Sequence, residues 1–203
     1  QDLEYFYTRQ RRQLGLGHAV LCAAPLVGRQ PFVVALGDSI IGLLSRSSIV
    51  ERMLDEFERT KADVVIAFEE VPRQHVGRYG IARPRGPVRD RFELASLVEK
   101  PAVDEAPSNL AVAGRYVFSP AIFDELATTR PGKGGEIQLT DAIQSVLAKG
   151  GKGVGMRLAA GEHRYDIGNF ESYFRAFVDF ALADPKYGDG LRSYLRSALE
   201  SDR

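Results

Sequence analysis

Two stretches of the chain are unbroken runs of apolar, largely β-branched residues. "FVVAL" (Phe32 to Leu36) ends in Gly37, Asp38 and Ser39, and "DVVIAFEEV" (Asp63 to Val71) ends at Pro72. Such runs predict strands buried on both faces. Between them, "SSIVERMLDEFERTKA" (Ser47 to Ala62) places apolar residues at 49, 50, 53, 54 and 57, a helical stripe. Strand, helix, strand is the crossover unit of a parallel sheet. Upstream, residues 1–13 predict the end of a strand entering a loop. Leu14 to Gly17 continue that loop, and a helix is expected from about His18 to Ala24. After Pro72 the strands shorten and Gly, Pro and charge increase, which predicts an excursion over about residues 72–118 that leaves from the sheet's edge. Strand texture returns in "NLAVAGRYVFS". Helices are predicted in "PAIFDELATTR" and in "EIQLTDAIQSVLAKG", the second stopped by Gly150. "GVGMRLAAG" predicts the last strand, and "NFESYFRAFVDFALADP" an aromatic-rich helix stopped by Pro185. Residues 184–203 predict a loosely attached helical tail behind a domain spanning 1–183.

Composition narrows the classes of function. The 203 residues are 44% hydrophobic and 27% charged, an ordinary globular balance with enough chain for one good-sized core. Basic and acidic residues number 27 each, so there is no net positive charge for a dedicated nucleic-acid binder. The single Cys22 excludes an intrachain disulfide and a multi-cysteine zinc site, and fits a reduced, cytoplasmic protein. No apolar stretch approaches the roughly 20 residues of a membrane span, so no membrane partner is expected. The chain opens on Gln1 rather than Met, which suggests a piece of something longer.

Candidate chemistry gathers at strand ends and in glycine-rich loops. Asp38 follows a predicted buried strand, behind a glycine that clears space around it. Ligands of open α/β sheets lie outside the carboxyl ends of strands, so Asp38 is either a Mg²⁺ ligand or the cap of a following helix. Asp166, in "RYDIGN", is a second lone acid beside a glycine at the end of the predicted last strand. Two such acids are what a Mg²⁺ bridging phosphates requires. Gln10 with "LGLGHA" offers an amide and exposed backbone suited to the polar edge of a nucleobase, or simply a helix-start turn. "VEKP" sets Glu99 beside Lys100: a point charge for a phosphate and an acceptor for hydroxyls, or a solvated turn. "GKGGEIQLTD" adds Glu136 in a glycine-rich loop that is not a Walker loop. The three histidines share no metal-ligand spacing, and no nucleophile elbow or Cys/His pair stands out.

Taken together, "RQRRQLGLGHAVLCAAPLVGRQPFVVALGDSII", "VGRYGI", "LVEKPAVDEAPSNLAVAGRYVFSPAIFDEL", "PGKGGEIQLTDAI" and "RYDIGNFESYFRA" resemble the bacterial UTP–glucose-1-phosphate uridylyltransferases, in that family's order and up to about Ala183. The resemblance implies a Rossmann-like α/β fold: a mixed, mostly parallel sheet flanked by helices, with an inserted sugar-binding subdomain. It implies Mg²⁺-dependent transfer of uridylyl from UTP to glucose 1-phosphate, giving UDP-glucose and pyrophosphate, in a homo-oligomeric enzyme. By the same resemblance Gln10 and the backbone near Gly17 read uracil, and Asp38 and Asp166 bind the metal. Gly80 lies near the sugar, Glu99 holds its hydroxyls, Lys100 holds its phosphate, and Gly114 and Glu136 line its pocket. The Asp38 question is thereby answered in favour of Mg²⁺.

The sequence departs from the family pattern in two places. Ser39 stands where many members carry a second acid. The family's opening "GxGTRxLPxTK"-like phosphate loop is not found, so this stretch alone is expected to transfer little uridylyl and to leave "FVVAL" short of a neighbour. The competing expectations are a sister nucleotidyltransferase with another base or sugar, or a non-catalytic sugar-nucleotide binding module.

Overall fold

The computed structural model describes residues 3–43 and 47–201. Gln1 and Asp2 of the expected opening strand, and Asp202 and Arg203 of the expected tail, lie outside the described residues. The chain forms two compact units, one from residues 1–35 and 49–158, the other from residues 36–48 and 159–203. No helix among the described residues is long and apolar enough to cross a membrane.

The first unit is built on six strands: β1 (Phe32–Ala35), β3 (Val64–Glu70), β4 (Gly80–Arg85), β5 (Arg91–Glu99), β6 (Leu110–Phe118) and β7 (Gly153–Arg157), in the order β1-β6-β3-β7-β5-β4. Its helices are α1 (Leu16–Leu21), α2 (Ala24–Val27), α3 (Ile49–Thr60), α4 (Ala121–Thr128) and α5 (Leu139–Ala148). The sequence "VVIAF" of β3 is buried completely, as a strand covered on both faces demands. α3 lays Ile49, Met53 and Phe57 against β3 and β6, while α5 packs on β5 and touches α1 and α4.

This is the mixed α/β sheet flanked by helices that the sequence implies, but its neighbours are mostly antiparallel. Among the described strands only β3 and β7 pair in parallel. The reason is β6, which returns from the excursion and inserts antiparallel between β1 and β3. The excursion also leaves from the central strand β3 rather than from the sheet's edge. β1 is the second correction. It carries the same apolar pattern as β3, yet among the described strands it lies at an edge and pairs with β6 alone, and its residues alternate between half-buried and exposed. Phe32 stacks on Phe123 of α4 with centroids 4.8 Å apart, while Val33 on the other face is 39% exposed. An apolar run reports composition; burial on both faces also needs covering layers, and the described residues leave Val33 and Ala35 exposed.

Two smaller corrections concern the front of the chain. Residues 3–13 form no strand, and Tyr5, Phe6 and Tyr7 are exposed, without the ladder partner a strand requires. The first helix begins at Leu16, so that Gly17 lies inside it.

The second unit contains a two-stranded sheet, β2 (Ser39–Ile41) against β8 (Arg164–Asp166), followed by α6 (Phe170–Ala183) and α7 (Gly188–Ser201). The last strand is therefore β8, and Asp166 ends a strand of its own. A strand, β2, follows Asp38 directly, so Asp38 caps no helix. α6 is capped by Asn169, whose side chain accepts the Ser172 N–H.

Candidate functional site

In the first unit, β4 and β5 pair so that Gly80 lies directly across from Glu99. A Cβ on Gly80 would stand 3.3 Å from Glu99 Oε2 and 3.1 Å from Thr140 Cγ2, so glycine leaves the carboxylate its place over the strand. Thr140 Oγ1 donates to Glu99 Oε2 at 3.0 Å, and Lys100 Nζ approaches Oε1 at 3.8 Å. The Glu99 side chain keeps 25% of its surface exposed and that of Lys100 48%, so both reach solvent. Lys100 has φ 44°, the left-handed region, and its N–H donates to Tyr79 O. An L-residue held there is strained, and strain of this kind collects at functional sites. Below this end of β4, Val71, Val76, Ile81, Ala106 and Ala111 form a small buried cluster with Tyr79 against it.

A second group lies beside α1. Gln10 Nε2 donates to Gly15 O at 3.0 Å and stands 2.8 Å from His18 Nδ1, and no described residue donates to its Oε1. The Gly17 N–H is engaged, donating to Ile137 O at 2.9 Å, while Ile137 N–H donates back to Leu14 O. A Cβ at Gly15 would meet Glu136 Cβ at 2.8 Å, and one at Gly17 would meet Ile137 O at 2.7 Å. The two glycines of "LGLG" therefore admit the 136–137 backbone. Glu136 stands beside this loop and accepts from Gln138. Leu139 then opens α5, whose second residue is Thr140, so one short segment runs from the glycine loop to Glu99. Gly114 stands apart in β6, where a φ of 70° accompanies the register slip opposite Ile66 to Phe68.

The second unit holds the two acids. β2 and β8 pair with Ser39 opposite Asp166, and Ile167 N–H donates to Asp38 O at 2.8 Å. Asp166 Oδ1 accepts the Gly168 N–H at 3.0 Å, and Oδ2 faces Arg164 Nη1 at 3.4 Å. A Cβ on Gly168 would stand 3.2 Å from an oxygen of each carboxylate, so the two acids converge on one point that glycine leaves open. Beside them on β8, burial and the nearby Asp179 carboxylate push the Tyr165 phenol up.

The sequence profile of the Nucleotidyl transferase family matches residues 2–182. The chain belongs to the nucleotidyl transferase family. Among its curated relatives, a UTP–glucose-1-phosphate uridylyltransferase of Staphylococcus epidermidis is 39% identical over 194 residues, covering 94% of this chain and 64% of the relative. The enzyme of that name from Streptococcus pneumoniae is 39% identical over 203 residues, covering 96% and 64%. The chain thus spans somewhat under two thirds of the curated relatives it matches. Among solved structures, a UTP-bound UGPase from Acinetobacter baumannii is 34% identical at a TM-score of 0.80, covering 93% of this chain and 64% of that one. A UDP-glucose pyrophosphorylase complexed with UDP-glucose is 37% identical at a TM-score of 0.77, covering 84% and 63%.

Nucleotidyl transferases generally use a divalent metal. Asp38 and Asp166 fit one: a hard cation takes oxygen ligands, and a pair of carboxylates leaves room for waters and phosphates. Among the described residues no group of three or more His, Cys, Asp or Glu could hold a metal. Thr140 is a partner of Glu99 that "EIQLTD" alone does not single out: a threonine at a helix start reads as local capping until the fold brings it to β5.

Proposed function

We propose that the protein is a UTP–glucose-1-phosphate uridylyltransferase, forming UDP-glucose and pyrophosphate with Mg²⁺. The observation that carries this reading is the end of the β4–β5 hairpin, where an exposed ammonium and a held carboxylate stand together over a glycine. Such a pair suits a sugar phosphate: Lys100 for the phosphate and Glu99 for the hydroxyls, with Gly80 giving the sugar ring room. The names of the relatives supply the same substrate class. Gly114 and Glu136 belong to the sugar pocket in this reading. Gln10 Oε1 would accept from the uracil N3–H, and the loop at Gly17 would shape the base site without its N–H, which is already engaged.

In the reaction an oxygen of glucose 1-phosphate attacks the α-phosphorus of UTP. The bond from that phosphorus to the β-bridging oxygen breaks, and pyrophosphate leaves with the electron pair. The nucleophile is already anionic, so the protein's work is positioning and charge neutralisation. Two unit charges ~4 Å apart interact by about 4 kcal/mol at an effective dielectric of 20; Lys100 would offset repulsion of that order. Asp38 and Asp166 would hold Mg²⁺, which when bound neutralises phosphate charge. A cytoplasmic homo-oligomer completes the proposal; Cys22 as the one cysteine suits a reducing compartment. The test is pyrophosphate release from glucose 1-phosphate and Mg²⁺ by the complete gene product, with UTP, dTTP and CTP compared. UTP-dependent release with UDP-glucose as product is expected, and preference for another base would overturn the assignment.

A further inference from the structure

We propose that Thr140 is a positioning residue that fixes Glu99 and thereby sets how strongly the site prefers a sugar; this rests on the uridylyltransferase reading. The two oxygens of Glu99 are not equivalent. Oε2 lies against Gly80 and accepts from Thr140 Oγ1 at 3.0 Å, while Oε1 faces Lys100. Thr140 itself is only 9% exposed. Both branches of its side chain are used, the methyl over Gly80 and the hydroxyl on Glu99. A β-branched side chain in a helix has few χ1 choices. A helical Thr often returns its hydroxyl to the carbonyl four residues back. Here that residue is Glu136, which precedes α5, and the hydroxyl goes to Glu99 instead.

The distance between Thr140 and Glu99 is itself held. One turn further along α5, Gln144 Oε1 accepts the Leu97 N–H of β5 at 3.2 Å. Two hydrogen bonds thus tie α5 to β5, and Thr140 meets Glu99 in a set geometry. With Oε2 occupied, Oε1 is the edge presented to a sugar hydroxyl. Without Thr140 the carboxylate is free to turn, and a hydroxyl has no fixed acceptor.

The experiment compares calorimetric binding of UDP-glucose and UDP by the wild-type chain and by Thr140→Val, Thr140→Ala and Thr140→Ser. Val keeps the shape without the hydroxyl, Ala is the second variant should Val fail to fold, and Ser restores the hydroxyl. The wild type is expected to bind UDP-glucose more tightly than UDP. Val and Ala should weaken UDP-glucose about tenfold and leave UDP within about twofold, with Ser close to wild type. In the complete gene product the same variants should raise KM for glucose 1-phosphate and leave KM for UTP unchanged. If folded Val and Ala variants keep the wild-type preference, the role of Thr140 is wrong while the functional reading stands. If the wild type shows no preference for UDP-glucose over UDP, the functional reading falls and this proposal with it.

Discussion

Lys100 is an L-residue in the left-handed region, next to Pro101 and at the end of the strand that presents Glu99. Holding a non-glycine residue there costs roughly 1–2 kcal/mol, a cost glycine avoids. Lys100→Gly should therefore be more stable than Lys100→Ala by about 1 kcal/mol, although glycine usually ranks below alanine. Urea denaturation of both variants checks this, and an alanine variant at least as stable as the glycine one would contradict the strain. Gly17 gives the opposite case. Inside a helix, Gly→Ala should gain up to ~1 kcal/mol from propensity. Here the new methyl would meet Ile137 O at 2.7 Å and Leu126 Cδ2 at 3.0 Å. Overpacking of that kind typically costs about 1–3 kcal/mol, so Gly17→Ala should lower stability on balance. A raised denaturation midpoint would show that the 137 backbone gives way.

Among elements, the β2–β8 pair makes the sharpest prediction. Gly168→Ala needs no unusual backbone, yet its methyl would stand 3.2 Å from an oxygen of each acid. It should weaken Mn²⁺ binding, read by electron paramagnetic resonance, by about tenfold or more while the fold persists; unchanged binding would mean the cation does not use both carboxylates. This pair also shows what the sequence could and could not reveal. β3 is legible as an unbroken apolar run, and α3 and α5 by their helical apolar stripes, because burial on two faces or on one imposes those patterns. β2 and β8 are three residues each, with no period to read, and become strands only by pairing with each other. β1 is half legible: its place at an edge of the described sheet agrees with a "FVVAL" short of a neighbour, whereas its composition predicts a burial on both faces that it does not have. The residues proposed for the site are readable as motif letters, whereas the Thr140 bond to Glu99 joins residues 41 positions apart and needs the fold to appear.

At the scale of the molecule, the residues proposed for the sugar phosphate and the base belong to the first unit and the acid pair to the second. In the proposed uridylyltransferase the first unit recognises the phosphate-bearing half of a sugar nucleotide through Lys100. Hydrogen bonds to charged groups contribute about 1.5–3 kcal/mol, so losing this ammonium should cost roughly tenfold or more in affinity. An exposed side chain changes stability by only about 0.5 kcal/mol when removed, so the loss should appear in binding rather than folding. The most direct measurement is a calorimetric titration of the chain with UDP-glucose, wild type against Lys100→Ala, with folding followed by circular dichroism. Saturable binding by the wild type and at least tenfold weaker binding by a folded variant are expected. Saturable binding of equal strength in both would contradict that role of Lys100.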